Sequence, residues 1–202
     1  MTQLTLSKST YLKEAKKLDN YQKFLPPLDL KRQQLILEKN KAKRELSMLT
    51  KELNELTDGS AEQLKMLADT EINAEGYVAV DKVELSEQNL LGVRLPVLGK
   101  VSFKSIDHGY LTTPHWVDVL VQKLQRNVEL KLRIKVYEKR FQLLGEASRK
   151  ATQRVNLVSK ILIPEAQTNM RKISIFLSDN ERAAVVRSKL AKKKNRALRG
   201  EF

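Results

Sequence analysis

The chain has 202 residues, of which 41% are hydrophobic, 31% charged and only 5% aromatic, a balance that suits long helices better than a globule with a thick core. Its formal net charge of +14 calls for an acidic partner, whether nucleic acid, anionic lipid or an electronegative protein cavity. No cysteine is present, which excludes a disulfide framework and any thiolate metal site and fits a reducing compartment.

The N-terminal third carries a sevenfold repeat. Leu4, Tyr11, Leu18 and Leu25 form one row, which continues through Arg32 and Lys39 to Leu46 and Leu53. Tyr21, Leu28, Leu35, Ala42, Leu49 and Leu56 form a second row three residues later. Together they make an a/d seam of about seven heptads, which predicts a coiled-coil arm over 1–57. Arg32 and Lys39 thin the seam locally and are suited to fixing its register or reaching a partner. Pro26 and Pro27 fall at non-seam positions with the same frame on both sides, which predicts a kink or a restarted helix on one continuing partner.

A small head is expected over 58–112. "DGS" at Asp58 to Ser60 reads as a turn, and "AEQLKMLADTEI" as a short helix ending near Gly76. "YVAVDKVEL" and "GVRLPVLGKVSF" have β-branched character and predict a short β-hairpin punctuated by Pro96 and Gly99. Such a hairpin is marginal alone and must rest on the helices or on another protein of an assembly.

The second arm is expected over 113–190. Thr113 suits an N-cap and Pro114 the first helical turn. The seam then runs Leu130, Ile134, Tyr137, Phe141, Leu144, Ser148, Ala151, Val155, Val158 and Leu162 in alternating steps of four and three, with Gly145 beside it permitting close helix approach. After Leu162 it continues through Ala166, Met170, Ile173 and Leu177, so the rhythm slips near Pro164. A kink is expected there, because proline removes the donor to the carbonyl of Lys160. A basic tail over 191–202 closes the chain, and from Arg182 to Arg199 there are eight Lys or Arg residues and no acid.

Chemistry leaves little trace. Gly92 to Gly99 has the wrong spacing for a phosphate loop, and Lys100 is followed by Val101 rather than Ser or Thr. His108 and His115, the only histidines, have no cysteine and no convincing carboxylate spacing beside them, so no metal is expected. No catalytic carboxylate pair stands out among acids that alternate with bases. No catalytic residue and no cofactor are therefore nominated. No apolar run approaches the roughly 20 residues that span a bilayer, and no secretory signal is visible, so no direct membrane insertion is expected.

The order of long basic arm, small head and long second arm resembles the D subunit of the V/A-type rotary ATPases, in a divergent bacterial branch. The resemblance covers nearly the whole chain. It rests most on "LDLKRQQLILEKNKAKREL", "NLLGVRLPV", and the "RVN" and "ILIPE" elements at Arg154 to Asn156 and Ile161 to Glu165. It implies a mainly α fold, a long antiparallel two-helix coiled coil whose head holds a short helix and a β-hairpin. It further implies a non-catalytic central-stalk shaft, cytoplasmic and peripheral to the membrane, that couples ATP hydrolysis or synthesis in a hexamer of A and B subunits to ion transport. The implied partners are the catalytic A and B subunits, the F subunit, and the C subunit, which is the d-type connector to the membrane ring.

On this resemblance the candidate contacts with the hexamer are Arg154, Asn156, Ile163, Pro164, Arg187, Lys192, Lys193, Lys194 and Arg196. Tyr77, Val80, Val93, Leu95 and Val97 are the candidate contacts with the F or C subunit. The bend at Pro164 would make the end of the shaft asymmetric. A basic coiled-coil protein that binds nucleic acid is the alternative, opposed by the scarcity of aromatics for base stacking, and a peripheral membrane scaffold using the basic tail is a third reading.

Overall fold

The computed structural model describes residues 5–63, 78–104 and 116–198. The elements are helix α1 (Lys8–Gln63), strands β1 (Ala79–Leu90) and β2 (Val93–Lys104), helix α2 (Trp116–Leu157), a π turn (Val158–Leu162) and helix α3 (Ile163–Leu198). They fall into two compact units, one of residues 1–30 with 151–202 and one of residues 31–150. The short helix expected from Ala61 has its first three residues in α1 and the rest, to near Gly76, outside the described residues, as are the expected cap at Thr113, Leu4, His108 and His115.

Ser7 starts α1. Its hydroxyl accepts a hydrogen bond from the Thr10 backbone N–H at 3.2 Å, which satisfies one of the donors that a helix start leaves open. From Tyr11 to Leu56 every expected seam position is buried or half-buried, and Glu14 joins the second row. α1 then passes through both proline sites without interruption, where a restarted helix was one expectation. The reason is local: Pro26 and Pro27 are exposed, as are Gln22 and Lys23, whose carbonyls lose their donors. These acceptors lie on the solvent side, open to water, and away from the seam.

The turn expected at Asp58 to Ser60 is also helical, since α1 continues to Gln63. A Cβ at Gly59 would meet nothing within 4 Å, so no close contact demands glycine there. Just before it, the Thr57 hydroxyl donates to the carbonyls of Leu53 and Asn54 and keeps the helical ladder intact. One glycine inside a helix costs only about 1 kcal/mol, less than stopping a cooperative ladder early.

In the unit of residues 31–150, α1 and α2 run antiparallel. Glu52 accepts a hydrogen bond from Arg126 at 2.7 Å, while the earlier Lys39 meets the later Phe141. Leu35, Ala42, Leu130 and Leu144 are buried at their seam positions, and Ser148 is buried with its hydroxyl donating to the Gly145 carbonyl. Burying such a stripe is what holds two otherwise soluble helices together.

The hairpin of this unit is antiparallel, with β1 and β2 of 12 residues each. Leu91 and Gly92 connect the strands at φ 54° and 82°, both left-handed, as a two-residue type I′ turn requires. Asn89 steadies the turn, its side-chain oxygen accepting from the Gly92 N–H at 3.0 Å. Two bulges interrupt the ladder. Asp81 is the extra residue between the pairs Val80 with Phe103 and Lys82 with Ser102, whereas Gly99 and Lys100 stand opposite Glu84 alone. The second bulge restores the register that the first displaced, and both strengthen the local twist.

In the other unit, α1 up to Leu30 is joined by 151–198. Val155, Ala166 and Ile173 are buried and Val158, Leu162, Met170 and Leu177 half-buried, so the expected seam holds on both sides of Pro164. The rhythm slip is taken up by the π turn. Its closing bond runs from the Ile163 N–H to the Val158 carbonyl, five residues back. Beyond it the run set apart as a basic tail is helical as far as Leu198.

Candidate interaction surfaces

The first surface is the end of α3. Every residue from Glu181 to Arg196 is exposed, including Val185, Val186 and Leu190. Arg187, Lys192, Lys193, Lys194 and Arg196 stand among these apolar side chains, so the segment is a basic helix whose apolar side chains are also uncovered. Arg182 reaches Asp179 only at 3.9 Å, and no acid follows before the end of the basic run. Helices of this kind gain stability from what they pack on, because propensity alone holds short isolated helices poorly in water.

Near the π turn, Arg154, Asn156 and Pro164 are exposed and Ile163 is half-buried. Leu157 and Ile161 add large apolar side chains that are 46% and 54% exposed. Across the same unit, Glu14 is a carboxylate at a seam position, only 7% exposed, that accepts a bond from the Lys17 ammonium at 2.6 Å. This hydrogen bond, then the Glu14 charge, with a smaller contribution from Glu165, holds the Lys17 amine above its ordinary value. Glu14 was legible as a seam residue from its sevenfold spacing to Tyr21, yet its acid character hid it among the surface charges.

The hairpin forms the second surface. Leu95 is fully buried in its own chain, with no exposed side-chain area. Val80 is 42% exposed and Val93 and Val97 are half-buried, while Tyr77 lies outside the described residues. Most of β1 is exposed, and β2 is the more covered strand.

A groove of about 280 Å³ opens between hairpin and helix. Val83, Leu85, Pro96 and Leu98 form one wall, Leu132 and Val136 of α2 the other, and the ammonium-bearing Lys135 and Lys139 line it as well. Leu132 and Val136 lie off the coiled-coil seam, which is why the sevenfold repeat did not single them out. Their second apolar row, four residues apart on α2, was the available signal.

Among the described residues no group of three or more His, Asp or Glu side chains is placed to hold a metal ion. Arg126 also has a displaced proton affinity, raised chiefly by its bond to Glu52, and it braces the two helices. No helix among the described residues is long and apolar enough to cross a membrane.

Long paired helices, a hairpin laid on one of them and a free basic end agree with what comparison with known proteins finds. The family model described as the ATP synthase D subunit matches residues 10–193. A V-type ATP synthase D subunit from Borreliella burgdorferi (strain ATCC 35210 / DSM 4680 / CIP 102532 / B31) is 32% identical over 200 residues, covering 97% of this chain and 98% of its own length. The protein of the same description from Chlamydia muridarum (strain MoPn / Nigg) is 33% identical over 196 residues, covering 96% of each. That from Chlamydia felis (strain Fe/C-56) is 34% identical over 196 residues, covering 96% of this chain and 94% of its own. The chain belongs to the ATP synthase D subunit family and is a central-stalk component of a V/A-type ATPase.

Proposed function

We propose that the exposed basic end of α3 is the part of the rotor enclosed by the hexamer of A and B subunits, and that the hairpin unit carries the F and C subunits. The observation that carries this is the run from Arg182 to Arg196, where exposed apolar side chains and a one-sign charge lie on one helix. Diffuse attraction between lysines and an acidic cavity draws the end inward without the directional contacts that would arrest rotation. The exposed Val186 and Leu190, one turn apart, give it an apolar bearing surface. In this reading the chain is non-catalytic and works cytoplasmically at the membrane periphery, transmitting torque between the hexamer and the ring.

The test is neutralisation of Lys192, Lys193, Lys194 and Arg196 to Gln, followed by reconstitution with A and B subunits. Exposed charges of one sign repel, so the isolated chain should keep its thermal stability to within about 0.5 kcal/mol. Assembly should weaken and lose much of its salt dependence. Unchanged assembly at every salt concentration would refute the placement of this end.

A further inference from the structure

The seam of the first unit steps alternately by three and four residues through Val155, Val158 and Leu162, and again through Met170, Ile173 and Leu177. Between these stretches, Leu162, Ala166 and Met170 are four apart twice, so the second stretch is one residue out of phase with the first. Val155 before the slip and Ala166 and Ile173 after it are nonetheless all buried. The π turn reconciles the two: a bond from Ile163 to the carbonyl five residues back takes a single extra residue out of the helical phase.

Pro164 comes two residues after the turn, next to Ile163. It has no N–H, so the next rung of the ladder is missing and the carbonyls around Ser159 and Lys160 are short of a donor. Packing is thin at the same place. No residue of the π turn is buried, nor is any side chain between Val155 and Ala166. In the α1 share of the unit, no side chain between Glu14 and Leu30 is buried, and Pro26 and Pro27 remove two more rungs.

Missing hydrogen bonds and sparse burial together define a segment of low local opening energy. We propose that Val158 to Pro164 is a soft joint in this helix pair, at which the basic end of α3 twists and bends against the preceding part, and that the inserted residue keeps it soft even where the rung missing at the proline is restored. In a torque-carrying shaft such a joint takes up elastic twist while the end is loaded. Its use in the assembled motor rests on the placement proposed above; its existence does not.

Two variants separate the causes. Deleting Pro164 removes the extra residue and the imino acid at once, turning the steps Val158, Leu162, Ala166 and Met170 into four, three and four, so one uninterrupted α-helix results. Pro164→Ala restores the donor but keeps the extra residue, so the π turn persists. Hydrogen exchange is measured on the full-length chain by mass spectrometry.

In the native chain, amides of 159–165 should exchange about tenfold or more faster than those of 150–156 and 167–173. The deletion should bring them close to the flanking rates, and Pro164→Ala should leave them fast. Uniform protection across 150–173 in the native chain overturns the joint. Flank-like protection in Pro164→Ala overturns the assignment to the inserted residue. Should the deletion variant lose its helical circular dichroism, native chain and Pro164→Ala still decide. In the reconstituted motor, the deletion should raise the torsional stiffness read by single-molecule rotation; unaltered stiffness with altered exchange overturns the mechanical use while leaving the joint and the shaft placement standing.

Discussion

The Lys39 ammonium lies 5.3 Å from the centre of the Phe141 ring, and its Cε is the nearest atom to where a Cβ on Gly145 would stand. A lysine at a seam position therefore keeps a favourable contact for its charge while its stem lies along the partner helix. That answers what such a residue does in an apolar seam: it exchanges hydrophobic burial for a cation over an aromatic face.

Gly145 is the weak member of this trio. A Cβ there would sit 3.9 Å from Lys39 Cε, an ordinary contact, so the helix gains an alanine without a clash. Gly145→Ala should stabilise the chain by about 0.5–1 kcal/mol through the lower entropy of its unfolded state. Urea denaturation at equilibrium measures this, and a loss of stability would mean that the helices need the glycine in order to approach.

The Glu14 and Lys17 pair gives a pH signature. Lys17 is raised above its ordinary value in the folded chain, first by its hydrogen bond to Glu14. A raised folded value means that the stabilising contribution is complete below the ordinary lysine value and is lost as pH climbs through the folded one. The melting-temperature gap between the native chain and Lys17→Met should therefore hold constant from about pH 6 to 9. It should close only above 10.5. A gap that already closes near neutrality would assign the effect to another group.

At the hairpin tip, Gly92 has φ 82° and open space around its missing Cβ, with Lys31 Nζ the nearest atom at 3.7 Å. Backbone strain alone then penalises a side chain, and Gly92→Ala should cost about 1–2 kcal/mol. Gly99→Ala should cost stability for a different reason, since its Cβ would lie 3.1 Å from both the Cβ and the backbone oxygen of Glu84. Thermal melts of the two variants, with crystal structures if they fold, would show turn strain in one and a displaced bulge in the other.

The groove beside the hairpin predicts a separation of binding from stability. Leu85 is 64% exposed, so Leu85→Asp should change the stability of the isolated chain by no more than about 0.5 kcal/mol. If the hairpin unit carries the F or C subunit, the same variant should weaken that binding about tenfold or more, because a hydrated carboxylate would replace apolar contact area. Calorimetry with each purified partner gives the number, and full affinity for both would remove the groove from the interface.

Both arms were legible because one physical signal, apolar residues at alternating three- and four-residue steps, decides helix pairing. The seam read from Tyr11 to Leu56 and from Leu130 to Leu177 is the seam that is buried or half-buried. Local breakers were over-read for the same reason: Pro26, Pro27 and Gly59 are exposed, and there water and a long cooperative ladder outweigh what a breaker costs. The phase slip at Leu162 was visible as spacing, but whether it spreads along the helix or collects in one π turn depends on packing that spacing does not encode.

The surfaces were less legible than the arms. The basic end of α3 stands out in the sequence because lysines and arginines without acids are a compositional fact. The groove does not, since Leu85 and Leu132 are 47 positions apart in the chain and meet only once the hairpin lies on α2. Leu95, an apolar strand residue expected at a partner contact, is fully buried within its own chain.

The placement of the α3 end is tested most directly by cross-linking, and the absence of cysteine makes this clean. Single cysteines introduced at Leu190 and at Leu85, each with a short photoactivated maleimide probe, would be irradiated in the assembled ATPase and the adducts identified by mass. Adducts of the Leu190→Cys chain with A and B subunits, and of the Leu85→Cys chain with the F or C subunit, are the predicted result. Adducts of the Leu190→Cys chain with the F or C subunit, and none with A or B, would contradict it and turn the shaft end for end.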